Sequence, residues 1–329
     1  MSTSTLPLFL AIVAGAGTTF GAVILLVLIP NPPPVNTLSA SNAALFGRLQ
    51  ACSAGVMVAL SLGLFFESLP VAGFPSSILC VFVGAALMAA IEWLLHSTSH
   101  SNEGCNNEIH EGELGLLEEH ITEDLEKQNS FATPSAFEAF LMKMFGATSS
   151  GANTISMVRS SFVTYMGLAL HNLPEGVSVA LTTVSNLKLG ISLCIAILLH
   201  NVLEGMIVAL PLWYTSRSKS RVLFLTLLNG LMEPLGVIIA WCLGGAEIIS
   251  KPGRIEKMLA GVSGIMATIA FGELLPSAIE WIEKGGIGNH GKPSMKDVYI
   301  RVFAWIVIGV IGGAAVMGSA DFVLQHFAF

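Results

Sequence analysis

Eight charge-sparse stretches, at about 6–30, 45–69, 73–97, 160–184, 187–213, 220–245, 256–282 and 299–324, run through this chain. A helix needs about 20 such residues to cross the hydrocarbon core of a bilayer, and every stretch is long enough. Lipid offers the backbone no hydrogen-bond partner, so each stretch must satisfy its own N–H and C=O groups, which a helix does. Only 11% of the residues are charged and 53% are hydrophobic, where a soluble domain would have roughly a quarter charged. The sequence therefore predicts an all-α integral membrane protein with eight transmembrane helices. Helices one to three fall within 1–97, a hydrophilic, histidine-containing loop covers 98–157, and helices four to eight fall within 158–329. The net charge of −7 argues against a nucleic-acid partner. Cys52, Cys80, Cys105, Cys194 and Cys242 follow neither a disulfide nor a zinc-binding spacing. The first stretch lacks a basic leader and exceeds a signal peptide's apolar core, so it reads as a retained helix.

Orientation follows from lysine and arginine. The loops after helices one, three, five and seven hold Arg48; Lys127, Lys143 and Arg159; Arg217, Lys219 and Arg221; and Lys284, Lys292, Lys296 and Arg301. The opposite face holds Lys188, Lys251, Arg254 and Lys257. This distribution predicts non-cytosolic termini and a cytosolic 98–157 loop.

Polar residues interrupt three of the stretches near their centres. Helix four carries His171-Asn172-Leu173-Pro174-Glu175-Gly176, helix five His200-Asn201-Val202-Leu203-Glu204-Gly205, and helix six Glu233. In each copy the histidine and glutamate share one helix face, and the asparagine lies three residues from the same glutamate. Buried carboxylates at mid-depth cost about 2.5–3.5 kcal/mol each on the insertion scale and need a partner. No lysine or arginine lies at that depth, so the compensating charge is a bound cation. Imidazole together with carboxylate suits zinc and its first-row neighbours better than calcium or magnesium. Glu175 and Glu204 each share a helix with a histidine and an asparagine, so either can bridge two ions. Met57, midway along helix two, is a soft side chain that serves as core filler or as ligand.

Weak internal symmetry flanks the central pair. Gly55-Val56-Met57 with Glu67-Ser68-Leu69-Pro70 echoes Gly264-Ile265-Met266 with Glu273-Leu274-Leu275-Pro276. Gly84-Ala85-Ala86-Leu87-Met88 with Glu92-Trp93 echoes Gly313-Ala314-Ala315-Val316-Met317 with Asp321-Phe322. The pattern predicts an inverted repeat in a 3+2+3 bundle, an arrangement that transporters use. The flanking acids are explained either by snorkelling to the interface or by a pathway. In the second case Glu67 and Asp321 face outward, and Glu273, Glu92 and His96 face the cytosol. The 98–157 loop, with His100, Cys105, His110 and His120, reads as a solvated linker or as a weak metal-capture segment at the cytosolic exit. Glu111 to Lys127 within it can form an amphipathic helix.

The two H-N-x-x-E-G copies, the Met206-Ile207-Val208-Ala209-Leu210-Pro211-Leu212 that follows the second, and Gly230-Leu231-Met232-Glu233-Pro234-Leu235-Gly236 resemble the signature of the ZIP (Zrt/Irt-like) metal transporters. The branch it is most similar to is that of the bacterial ZupT-type and fungal vacuolar Zrt3-type proteins. The resemblance implies a two-metal site. His171, Glu175, His200 and Glu204 would take one ion, with Met57 at the position of a second-helix ligand. Asn172, Glu175, Asn201, Glu204 and Glu233 would take the other. It also implies zinc as cargo, with iron, manganese or cadmium as further cargo, movement toward the cytosol, and often a homodimer. No prosthetic group is implied, and the membrane is the plasma membrane or a vacuole-like one. Leu203 and Asn201 depart from the family's proline and aspartate. The alternative to transport is an intramembrane metallohydrolase using a metal-activated water, but no HExxH motif accompanies the site. A metal-sensing receptor would have to draw its signalling domain from 98–157.

Overall fold

The fold was analysed in a computed structural model that describes residues 5–31, 40–100, 136–147, 152–249, 253–286 and 293–327. Its regular elements are helical: α1 (Leu6–Leu28), α2 (Ala40–Ala72), α3 (Phe74–His100), α4 (Ala136–Phe145), α5 (Ala152–Ser185), α6 (Leu187–Ser216), α7 (Lys219–Gly230), α8 (Met232–Ile249), α9 (Arg254–Ile269), a π turn (Ala270–Leu274), α10 (Leu275–Gly286) and α11 (Met295–Phe327). Seven helices or helix runs are long and apolar enough to cross a membrane, with α7–α8 and α9–α10 each counting as one run. The chain is an all-α, multi-pass membrane protein. The fourth predicted span corresponds to α5, which is 34 residues long. It does not qualify on apolarity because His171, Asn172, Pro174 and Glu175 interrupt its centre.

Proline accounts for both interruptions in the compound runs. Pro234 has no N–H for the carbonyl of Gly230, and the helix breaks there, between α7 and α8. Pro276 likewise deprives Gly272 of its donor, and a π turn stands just before it, closed by Leu275 N–H to Ala270 O. The α5–α6 connection is one extended residue, Asn186, whose Oδ1 accepts from the amides of Lys188 (3.0 Å) and Leu189 (3.4 Å). So short a turn makes α5 and α6 antiparallel neighbours. His171 lies fifteen residues before it and His200 fourteen after. At 1.5 Å per residue both histidines stand about 21–23 Å from the turn, at one depth.

Two apolar clusters bracket that depth. One joins Leu10 and Ala14 of α1, Leu60 of α2, Val179 of α5, Ile197 of α6 and Val237 of α8. The other joins Leu25 of α1, Leu168 of α5, Ile207 of α6 and Leu225 of α7. Between them the helices touch backbone to backbone. A Cβ on Gly176 would overlap the Glu233 carbonyl, and one on Gly205 the Thr18 carbonyl. Only glycine permits so close an approach. On the outside, Leu79, Phe82 and Leu87 of α3 and Phe303, Ile308 and Ile311 of α11 are exposed, as lipid-facing side chains would be.

Two boundaries differ from the sequence reading. Helix α5 begins at Ala152 rather than about 160, and α4 lies inside the stretch read as loop. Leu141 and Phe145 bury the apolar face of α4 against α5, with Phe137 edge-on to Phe162 at 5.6 Å between ring centroids. His110, His120, Cys105 and the expected helix at Glu111 to Lys127 lie outside the described residues.

Candidate metal centre

His171, Asn172, Glu175, His200, Asn201, Glu204 and Glu233 are all fully buried. The antiparallel pairing of α5 and α6 brings the two motif copies together crosswise. His171 Nε2 lies 2.5 Å from Glu204 Oε1, and His200 Nε2 lies 2.6 Å from the same oxygen and 3.5 Å from Glu175 Oε1. One donor atom from each of these four residues falls within 4.8 Å of every other. Donors placed tetrahedrally on one zinc stand about 3.3–3.6 Å apart, given bonds of ~2.0–2.2 Å. To close on an ion the pairs at 2.5 and 2.6 Å would open and the widest pairs would draw in by about 1 Å. Two carboxylates and two neutral imidazoles would leave a divalent cation electrically balanced.

Helix α2 supports this half. Ser53 Oγ lies 3.4 Å from His200 Nδ1. With Nε2 on a metal, Nδ1 carries the proton and donates to that hydroxyl, which fixes the ring. Met57 follows Ser53 by one turn and is fully buried within the first apolar cluster. Ser53 was not singled out from the sequence. Its position four residues before Met57 on an otherwise small-residue face was the available signal.

The second half is built of amides. Asn201 Nδ2 donates to Ala14 O at 3.1 Å and to Glu233 Oε1. Asn172 Nδ2 donates to the main-chain oxygen of Asn229 at 3.2 Å and to its Oδ1 at 2.8 Å. Asn229 Nδ2 in turn donates to Tyr165 O at 3.1 Å. Asn229 is also fully buried and also escaped the sequence reading. The signal was its spacing, four residues before Glu233, the same as His171 to Glu175.

Several polar atoms of the cluster are buried without a hydrogen-bond partner. The oxygens among them are both of Glu175, Oε2 of Glu204 and Glu233, and Oδ1 of Asn172 and Asn201. Buried acceptors with no donor are costly, by about 1–3 kcal/mol each and more for charged groups. Among the described residues no lysine or arginine pairs with these carboxylates. Six convergent oxygens and two imidazoles are a donor set for cations, and the hydrogen bonds leave it open to them.

Of the flanking acids, Glu273 comes from the π turn, and its carboxylate packs against Gly167, one turn before His171 on α5. Glu67 is half-buried on α2. Glu92, His96 and Asp321 fall on helices, but their side chains lie outside the described residues.

The sequence profile of the family described as ZIP Zinc transporter matches residues 94–325. Among curated relatives, "Zinc transporter ZupT" of Escherichia fergusonii is 36% identical over 170 residues, which is 52% of this chain and 58% of that protein. "Zinc transporter ZupT" of Salmonella newport is 34% identical over 170 residues, covering the same shares. "Zinc transporter ZTP29" of Arabidopsis thaliana is 44% identical over 122 residues, 37% of this chain and 44% of that protein. The matched region thus spans about half the length of these relatives.

Proposed function

Because this chain belongs to the ZIP zinc transporter family, we propose that it carries divalent metal ions, zinc foremost, across a membrane through the cluster between α5, α6 and α8. The observation that carries the proposal is the sealed set of seven fully buried polar side chains with unpartnered acceptor atoms at the middle of the bundle. A site between two apolar clusters suits an ion that must be held briefly away from both aqueous faces. The description of the family as transporters weighs against the metallohydrolase reading.

The cluster accommodates two ions. The first takes His171, Glu175, His200 and Glu204, with Met57 one turn beyond Ser53 as the added ligand from α2. The second takes the Oδ1 atoms of Asn172 and Asn201, Glu233, and the shared Glu175 and Glu204. The charge balance ranks them. The first ion neutralises the two shared carboxylates, so the second meets only Glu233 as fresh charge and binds more weakly.

Paired contacts support an eight-span, 3+2+3 inverted repeat. Gly15 and Gly230 back onto each other's carbonyls; Gly21 backs onto Val202 O as Gly236 does onto Leu173 O. Gly55 meets Ile306 O as Gly264 meets Val81 O, and Gly84 meets Gly261 O as Gly309 meets Cys52 O. These contacts equate Gly55 with Gly264, as the sequence pairing does. They equate Gly84 with Gly309, one turn from the Gly313 chosen by composition. The lysine and arginine distribution supports non-cytosolic termini with Glu273 toward the cytosol, and the family resemblance supports movement in that direction, past Glu273. The test is zinc uptake by proteoliposomes that contain the full chain and a trapped zinc indicator. A zinc-dependent signal above protein-free vesicles is expected, and equal signals would refute transport.

A further inference from the structure

We propose that Asn229 is a positioning residue for the ion beside Glu233: by holding the amide nitrogen of Asn172 it leaves that side chain's Oδ1 as a metal ligand. The inference rests on the two-ion reading above. The two ends of an asparagine amide are told apart by what they face. Here backbone carbonyls, which only accept, decide the matter. Tyr165 O lies 3.1 Å from one end of the Asn229 amide, so that end is Nδ2. The other end, Oδ1, then lies 2.8 Å from Asn172, which must present its own Nδ2. The main-chain oxygen of Asn229, at 3.2 Å, imposes the same orientation. Both amide hydrogens of Asn172 therefore end on Asn229, and its buried Oδ1 keeps its lone pairs free.

The other half of the bundle provides a comparison. Asn201 donates to the main-chain oxygen of Ala14, where Asn172 uses that of Asn229. Alanine supplies no side-chain acceptor, and the second hydrogen of Asn201 goes to Glu233 Oε1 instead. Without the Asn229 side chain Asn172 would be oriented by one hydrogen bond alone, the longer one at 3.2 Å, and its amide would be held less firmly. With it, Glu233 need serve only one asparagine, and its Oε2 remains unpartnered.

The test is zinc binding to the full chain in detergent micelles, by competition with a chromophoric chelator, for Asn229→Leu, Asn229→Asp, Asn172→Ala and the double variant Asn172→Ala/Asn229→Leu. Asn229→Leu should weaken the weaker zinc step about tenfold, the lower end for loss of a group that orients a ligand. The tighter step should be unchanged. In the Asn172→Ala background Asn229→Leu should add nothing, because its effect runs through Asn172. Asn229→Asp keeps an acceptor for Asn172 and should bind the second zinc at least as well as wild type; this variant decides if Asn229→Leu fails to fold. An equal loss in both backgrounds, a lowered melting temperature with unchanged zinc affinity, or a second step in Asn229→Asp as weak as in Asn172→Ala would each overturn the role. If Asn172→Ala leaves both zinc steps unchanged, the two-ion reading itself fails, and this role with it.

Discussion

Replacing Glu204 with glutamine should damage zinc binding more than the same change at Glu233. Glu204 Oε1 stands 2.5 Å from His171 Nε2 and 2.6 Å from His200 Nε2, between the two imidazoles. Glu233 instead hydrogen-bonds to Asn201, on the amide side of the cluster. Glutamine preserves the volume and removes the charge, so packing is not the variable. With Glu204 neutral, a zinc at the His171, Glu175 and His200 set leaves one positive charge uncompensated in a fully buried site. Breaking a buried charge pair costs about 3–5 kcal/mol. At ~1.4 kcal/mol per tenfold, that is about two to three and a half orders of magnitude in affinity. Both zinc steps should suffer, since the proposed two-ion site shares this carboxylate. Glu233→Gln should spare the tighter step and weaken only the second. The assay is chelator competition with the purified chain, alongside uptake per correctly inserted molecule. A Glu233→Gln variant that loses the tighter zinc as completely as Glu204→Gln would refute the assignment and move the sixth helix run to the centre of the site.

Two further outcomes follow from the packing. Gly205→Ala would set a methyl group against the Thr18 carbonyl, and two backbones in contact cannot repack locally; a loss of about 1–3 kcal/mol is expected. A thermal melt without zinc measures it, and an unchanged midpoint would show that α1 and α6 separate at no cost. Ser53→Ala removes the hydroxyl beside His200 Nδ1 and should lower affinity for the tighter zinc about tenfold with the fold intact. Unchanged affinity would mean that His200 is oriented by packing alone.

The parts of the fold that were legible rest on local signals. Apolar length gave the spans, and the repeated H-N-x-x-E-G gave the centre of the cluster because both copies fall mid-helix. The short connection after Ser185 was visible as the gap between two apolar runs, and it alone brings His171 level with His200. What escaped depends on distant partners. Asn229 meets Asn172 and Tyr165 across 57 and 64 residues of chain; within its own run it is simply one polar residue in an apolar stretch. Ser53 and His200 are 147 apart. Helix α4 was missed for another reason: it is ten residues long inside a hydrophilic segment, where Phe137, Leu141 and Phe145 were its faint periodic signal. The glycine runs of α3 and α11 allow several alignments at one-turn intervals, and only the carbonyls they touch select among them.

The glycines that close the two motifs bear on how inherited or engineered variants of this chain are interpreted. In a survey of every single substitution, Gly176 and Gly205 would score with Glu175 and Glu204 as positions that tolerate nothing, although neither glycine has a side-chain atom to offer a cation. The two kinds of defect differ in their remedy. A carboxylate variant that has lost affinity regains function when more zinc is supplied. A glycine variant, whose added methyl meets a backbone carbonyl, should not respond to zinc but should regain function at lower temperature. Sorting variants by which remedy works would separate the residues that hold the cargo from those that let the helices close around it.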